Sequence, residues 1–144
     1  MKPKDYFTPE QQKQIVDAIE EAELNTSGEI RVHIDLTCKG DVLDRAAKTF
    51  AMLKMHKTKL RNGVLFYLSI QDHKFAILGD AGINSRVPEN FWEFTKLAML
   101  DKLKENNLTE GLVTGITMAG EQLKKYFPYK DDDINELDNN ISFG

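Results

Sequence analysis

The pattern of hydrophobic and polar positions changes period near residue 29. Before it, Thr8-Pro9-Glu10-Gln11 predicts a helix start, because threonine can cap free amides and proline suits the first turn. Apolar residues then recur at helical spacing until Asn25-Thr26-Ser27-Gly28 ends the helix. From about residue 29 to 37 apolar and polar residues alternate, which predicts a half-buried strand.

A helix followed by two buried strands is predicted in the middle of the chain. Apolar residues at helical spacing place the helix from about Asp41 to Met55. Two continuous apolar runs follow near 63–70 and 74–79, and the polar residues Gln71-Asp72-His73 between them predict a short turn. Such runs are typical of central strands, because both of their faces are buried. We therefore expect an antiparallel hairpin.

Two further helices are predicted in the second half of the chain. The first runs from Glu89 to about Lys104 and is expected to turn Phe91, Phe94 and Ala98 toward the protein. The second runs from about residue 109 to 126, with apolar residues at spacings of three and four. The predicted fold class is therefore α/β, with a small mixed sheet flanked by about four helices.

A polar tail is predicted after the last helix. Residues 1–128 are expected to form one domain, and residues 129–144 an acidic C-terminal tail that is partly ordered or packed on the domain. The run Asp131-Asp132-Asp133 is interpreted as a solvated segment, with an ion site or a docking arm as the alternative.

Composition and charge restrict the class of protein. The chain has 144 residues, of which 41% are hydrophobic and 29% charged, as in ordinary globular domains. The formal net charge of −4 argues against nucleic-acid binding, which needs clustered Lys and Arg. A single cysteine, Cys38, cannot form an internal disulfide. Without an apolar signal segment or membrane span, we expect a cytoplasmic protein with no direct membrane insertion.

Several phrases spread over the sequence resemble the TPM domain family. They are Phe7-Thr8, Thr26-Ser27-Gly28-Glu29-Ile30-Arg31-Val32, Arg61-Asn62-Gly63-Val64-Leu65, Gly79-Asp80-Ala81-Gly82-Ile83, Phe91-Trp92 and Glu110-Gly111-Leu112. The phrases Tyr126-Phe127-Pro128 and Asn135-Glu136-Leu137 resemble its stand-alone bacterial branch. The resemblance implies a three-layer α/β/α sandwich, the divalent-cation sites described in some relatives, and an acid phosphatase assignment.

Three polar side chains are predicted to meet at one edge of the sheet. A helix between the first two strands favours a parallel pair, whose first residues share an edge, and the hairpin returns the third strand to that edge. Glu29, Asn62 and Asp80 stand at these three positions. Two carboxylates and an amide are oxygen ligands, which calcium and magnesium prefer. The sequence therefore predicts a calcium or magnesium site here.

Three functions are compatible with this edge. The first, which we favour, is a cation-binding, non-enzymatic module that recognises another protein. The second is a metal-dependent acid phosphatase-like phosphoesterase in which Arg61 binds phosphate and Asp80 is a ligand or nucleophile, although no Cys-x5-Arg loop, Asp-x-Asp pair or Walker motif is present. The third is a scaffold in which Glu29 pairs with Arg31 or Arg61 and Asp80 accepts loop amides. The sequence leaves the catalytic residues and the oligomeric state open.

Overall fold

Four strands form one mixed sheet in the computed structural model, which describes residues 1–130 and 135–144. They are β1 (Glu29–Asp35), β2 (Gly63–Ser69), β3 (Lys74–Gly79) and β4 (Ser142–Phe143). The order across the sheet is β3-β2-β1-β4. β1 pairs in parallel with both β2 and β4, whereas β2 and β3 form an antiparallel hairpin. The predicted pairings of the first three strands are confirmed.

Helices flank the sheet, as the sequence predicts. After a 3-10 turn at Pro3–Tyr6 come α1 (Pro9–Asn25), α2 (Val42–Met52), α3 (Ala81–Asn84), α4 (Glu93–Lys104) and α5 (Leu108–Leu123). The Thr8 side chain accepts the Gln11 amide, and the Gln11 side chain accepts the Thr8 amide, so α1 begins with a capping box. The single-turn helix α3 is an addition to the four that were predicted. No helix in the described residues is long and apolar enough to cross a membrane.

The two faces of the sheet carry separate hydrophobic cores. Ile30 and Ile34 of β1 point to the larger core, which contains residues of α1 and α5. Leu65 and Tyr67 of β2 point to the smaller core, which they share with Phe50 of α2. Helices therefore cover both faces, and the three-layer α/β/α sandwich is confirmed.

The last described residues, 135–144, run from the start of β1, where Glu136 contacts Glu29, to its outer edge, where β4 pairs with it. β4 pairs with His33 and Ile34, and the Gly144 amide donates a hydrogen bond to the Ile34 carbonyl at 2.9 Å. Phe143 packs against the larger core and Leu137 against the smaller one. The predicted acidic run 131–133 lies outside the described residues.

The orientation of α4 differs from the sequence prediction. Phe94 was expected to face the protein, and this is wrong, since the residue is 74% exposed. Thr95 and Met99 occupy the inner face of α4 instead. One residue turns a helix by about 100°, so burying Thr95 directs Phe94 away from the core.

Candidate functional site at the edge of the sheet

The backbone brings Glu29, Asn62 and Asp80 to the same edge. The Glu29 amide donates to the Asn62 carbonyl at 3.0 Å, and the Asp80 amide donates to the Gly63 carbonyl at 2.9 Å. Glu29 and Asp80 therefore flank Gly63 in one row across three strands. Glu29, Asn62 and Asp80 are 3%, 2% and 6% exposed, so their polar atoms depend on protein partners. Ion binding by these residues stays a prediction.

The Asp80 carboxylate is held by Arg61. Nε of Arg61 donates to Oδ2 of Asp80 at 2.7 Å, and Nη2 donates to Oδ1 at 2.8 Å. This hydrogen bonding, together with the negative charge of Asp80, raises the pKa of Arg61. Oδ1 also accepts the Ala81 amide at 2.7 Å and so caps α3. The amide of Gly82 donates to the Arg61 carbonyl at 2.9 Å, which fixes α3 against the loop before β2.

The Glu29 carboxylate holds the C-terminal segment against the edge. Its two oxygens lie 2.9 and 2.8 Å from the Glu136 amide nitrogen. The Glu136 carboxylate in turn accepts the Lys59 amide at 3.1 Å. Sequence reasoning missed Glu136 as part of this edge, because the segment around it has no hydrophobic period to place it.

The Asn62 side chain is only half satisfied. Its Nδ2 donates to the Ser27 carbonyl at 2.9 Å, and its backbone amide donates to Oγ1 of Thr58 at 3.2 Å. Its Oδ1 is buried and has no hydrogen-bond partner within the described residues. A buried acceptor without a partner destabilises the folded state by about 1–3 kcal/mol. A ligand that formed a bond with this oxygen would remove that cost.

A cavity of about 200 Å³ opens beside Glu29. None of the described residues that line it is basic. Burial raises the pKa of Glu23, one of its lining residues, to about 7, and the charge of Glu29 contributes to the rise. Hydrogen bonds from Asn139 and from the Ile30 amide oppose it. The other polar lining residues are Glu20, Thr26, Ser27, Tyr129, Asn135 and Asn139.

Glu23 should make stability depend on pH. Its folded pKa of about 7 exceeds the ordinary 4.5, so the folded state holds this proton more tightly and stability falls as pH rises between these values. We expect Glu23→Gln to raise the free energy of unfolding by about 1–2 kcal/mol at pH 8 and by much less at pH 5. Urea unfolding at both pH values measures this, with exposed Glu21→Gln as the matched control. Equal effects of the two substitutions at pH 8 would contradict the prediction.

A second buried polar cluster lies on the α2 side of the sheet. Asp35 accepts the Tyr67 hydroxyl at 2.5 Å and Nε of Arg45 at 2.9 Å. Nε2 of His33 lies 2.8 Å from Asp35, and Nδ1 of His33 lies 2.9 Å from Oγ of Ser142. Burial raises the pKa of Asp35, but its hydrogen bonds outweigh burial and leave the pKa below its usual value. Burial lowers the pKa of His33, which favours its neutral form.

The described side chains do not form a complete metal cage. Among residues 1–130 and 135–144, no group of three or more His, Cys, Asp or Glu side chains is placed to hold a metal ion. A cation at this edge would therefore need amide oxygens, backbone carbonyls or water in addition to Glu29. Calcium and magnesium accept such mixed oxygen ligands.

Comparison with known proteins decides the family. The model of the TPM domain matches residues 1–122. The chain belongs to the TPM domain family. The resemblance seen in the sequence is thus confirmed. Among curated proteins there is no match to this TPM domain.

Solved structures share the fold of this TPM domain. The NMR structure of the BA42 protein from the psychrophilic bacterium Bizionia argentinensis is 52% identical, has a TM-score of 0.93, and the match covers 98% of this chain and 97% of that one. The N-terminal domain of the cg2496 protein from Corynebacterium glutamicum is 12% identical, with a TM-score of 0.66 over 81% of this chain and 74% of that one. An N-terminal domain from P. gingivalis is 16% identical, with a TM-score of 0.68 over 84% and 78%. The last two show the fold alone.

Proposed function

We propose that this TPM domain is a divalent-cation-binding, non-enzymatic module that takes calcium or magnesium at the edge formed by Glu29, Asn62 and Asp80. The observation that carries the proposal is the buried Asn62 Oδ1, which has no partner in the described residues. The backbone carbonyl of Asn62 accepts the Glu29 amide, so the side-chain oxygen belongs to the residue next to Glu29, the first residue of β1. A cation would satisfy an acceptor that the described residues leave without a partner.

The charge around Glu29 supports a cation rather than an anion. Glu20 and Glu23 line the same cavity as Glu29, and the raised pKa of Glu23 reflects burial together with these neighbouring carboxylates. A magnesium ion keeps several of its waters, and calcium often keeps some, so these carboxylates can act through water without direct contact. Asp80 would join as a direct ligand only by exchanging its bonds to Arg61 for bonds to the ion.

The phosphoesterase alternative needs an arginine that is available to phosphate. In the folded chain Arg61 donates through Nε and Nη2 to Asp80. Since no observation on this edge favours phosphoryl transfer over ion binding, the binding module stays the proposal. Recognition of another protein and a cytoplasmic location remain predictions that accompany it.

Titration with calcium and with magnesium, followed by backbone amide NMR, tests the proposed site. We expect saturable chemical-shift changes at the amides of Glu29, Asn62 and Glu136, because a bound ion alters the electric field at nearby amides. Glu29→Gln should weaken the apparent affinity by at least about tenfold, equivalent to 1.4 kcal/mol of binding free energy. Asp80→Asn should have a smaller effect, since Asp80 is already neutralised by Arg61.

Glu10→Gln is the matched control for this titration, because Glu10 is an exposed carboxylate in the first turn of α1. It should leave the affinity unchanged. Shifts that spread over exposed carboxylates without saturating, or an affinity that Glu29→Gln does not change, would exclude the edge as a specific site.

A further inference from the structure

Helix α4 carries apolar side chains on its outer face as well as on its inner one. Thr95 and Met99 are buried, whereas Phe94, Leu97 and Leu100 are 74%, 59% and 36% exposed. A surface helix normally presents polar residues to solvent. Grouped apolar exposure of this kind is typical of a contact surface.

The exposed residues form a stripe with an opposite charge at each end. Glu93, Leu97, Leu100 and Lys104 follow one another at spacings of four, three and four, which return to the same side of a helix. All four are exposed. We call them, with Phe94 beside them, the α4 stripe. It is negative at the N-terminal end of α4, apolar in the middle and positive at the C-terminal end.

We propose that the α4 stripe is a self-association surface on which a second copy of this chain packs its own α4 in the antiparallel direction. A two-fold contact uses one surface twice, so that surface must be complementary to itself. With the two-fold axis at the level of Ala98 and Met99, Leu97 of one copy lies opposite Leu100 of the other. Glu93 then lies opposite Lys104 at both ends.

The charges select this arrangement over the parallel one. In a parallel pair Glu93 would face Glu93 and Lys104 would face Lys104, which is repulsive at both ends. The antiparallel pair converts both repulsions into attractions while keeping the leucines in contact. Lys102 is not part of the stripe, because its ammonium group lies 3.9 Å from Glu110 of α5.

The expected dimer is weak. α4 has 12 residues and is therefore about 18 Å long. Stable interfaces bury about 800 Å² on each partner, which is more than one face of such a helix offers. The association should therefore appear only at high protein concentration. It uses no residue of the cation site, so it can be tested with cations removed.

Sedimentation equilibrium in EDTA, from about 20 µM to about 1 mM protein, tests the proposal. The wild-type mass should rise from monomer toward dimer, and Leu97→Lys should weaken association by at least tenfold. Met52→Lys is the matched control, since Met52 is 58% exposed on α2, and it should associate like wild type. A wild-type protein that stays monomeric throughout, or a dimer that Leu97→Lys leaves intact, would overturn the proposal.

Charge exchange tests the antiparallel register. Glu93→Lys alone and Lys104→Glu alone should each weaken the dimer, because each places like charges together at both ends. The double variant should restore the wild-type association. If Glu93 and Lys104 acted only by stabilising α4 through its dipole, the double variant would have the least stable helix and would associate least of the three variants. A double variant that stays monomeric would therefore contradict the antiparallel register.

Binding to an apolar surface other than a second copy is checked with vesicles of phosphatidylglycerol and phosphatidylcholine. Under the proposal, wild type and Leu97→Lys should not differ in vesicle binding. Vesicle binding that is lost in Leu97→Lys, in a protein that stays monomeric without lipid, would assign the α4 stripe to a membrane surface and overturn the proposal.

Discussion

Replacing Asp35 with alanine is expected to lower the free energy of unfolding by about 3–5 kcal/mol, the usual cost of removing one partner from a buried ionic cluster. Asp35 is 5% exposed and accepts hydrogen bonds from Tyr67 and Arg45. Its loss would leave the buried Tyr67 hydroxyl and the His33 ring without their acceptor. Because whole domains are stable by only about 5–15 kcal/mol, urea unfolding at neutral pH should show a large shift of the midpoint.

Two comparisons make this prediction specific. Asp44→Ala removes an exposed aspartate from α2 and should change stability by less than about 0.5 kcal/mol. Asp35→Asn keeps the size and one acceptor oxygen, so it should lose less than Asp35→Ala. The pKa of Asp35 is lowered by folding, so the stability from its charge is present above the ordinary value of 3.8 and is lost as pH falls through the folded value. The gap between wild type and Asp35→Asn should accordingly close in acid. Similar losses in Asp35→Ala and Asp44→Ala would show that the cluster does not stabilise the fold.

Replacing Gly82 with alanine should cost about 2–4 kcal/mol and disturb the candidate site as well. A Cβ at this position would lie 2.1 Å from the Leu60 carbonyl oxygen and 2.6 Å from that of Arg61. Backbone oxygens cannot turn aside as a side chain can, so α3 would have to move away from this loop. The movement would break the hydrogen bond from the Gly82 amide to the Arg61 carbonyl and shift Asp80 relative to its partner. Urea unfolding measures the loss, and amide shifts at Arg61 and Asp80 report the movement.

Gly28→Ala is the control for the effect of adding a methyl group to a glycine at the same edge. The nearest atom to a Cβ at Gly28 would be a Leu123 methyl at 3.3 Å, which can adjust by small side-chain movements. We expect it to cost less than about 1 kcal/mol. If Gly82→Ala proved no more harmful than Gly28→Ala, the close approach of α3 to the loop would not be a constraint on the fold.

The sequence predicted elements well where a local signal decides the structure. Thr8 and Pro9 predict the start of α1 because capping and the first turn are decided within a few residues, and the structure adds the reciprocal bond to the Gln11 side chain. The alternation predicts β1 as a strand, and the two continuous apolar runs predict β2 and β3. The expectation that β1 is only half buried is wrong, because its polar residues His33 and Asp35 are buried as well.

The orientation of α4 was not predictable from a local signal. Apolar residues lie on both of its sides, and only packing against α5 decides that Met99 rather than Phe94 is buried.

For the candidate site, the sequence predicted neighbours but not partners. The topology rules place Glu29, Asn62 and Asp80 at one edge from their positions at strand ends. Glu29 accepts a hydrogen bond from the amide of Glu136, which lies 107 positions away in the sequence. No local sequence pattern predicts this contact. The pairing of Arg61 with Asp80 rather than with Glu29 likewise depends on the hairpin bringing α3 beside the loop.

The polar alternation of β1 also indicates a polar cluster away from the candidate ion site. His33 and Asp35 stand two positions apart, so they point to the same face of the sheet. A polar pair at such a spacing on a strand with one fully apolar face indicates a hydrogen-bonded cluster on the other face. Arg45 and Tyr67, which complete it, come from α2 and β2 and could be assigned only after folding.

The two-residue strand β4 has a consequence for solubility. Parallel pairing with β1 covers backbone groups of β1 around His33 and Ile34 that would otherwise be open to a strand of another molecule. Uncovered strand edges are templates for sheet extension and aggregation. The opposite edge of the sheet is β3, which starts with Lys74, and a charged residue on an edge strand discourages such pairing. The segment that packs beside Glu29 therefore also blocks this edge of the sheet against pairing with a strand of another chain.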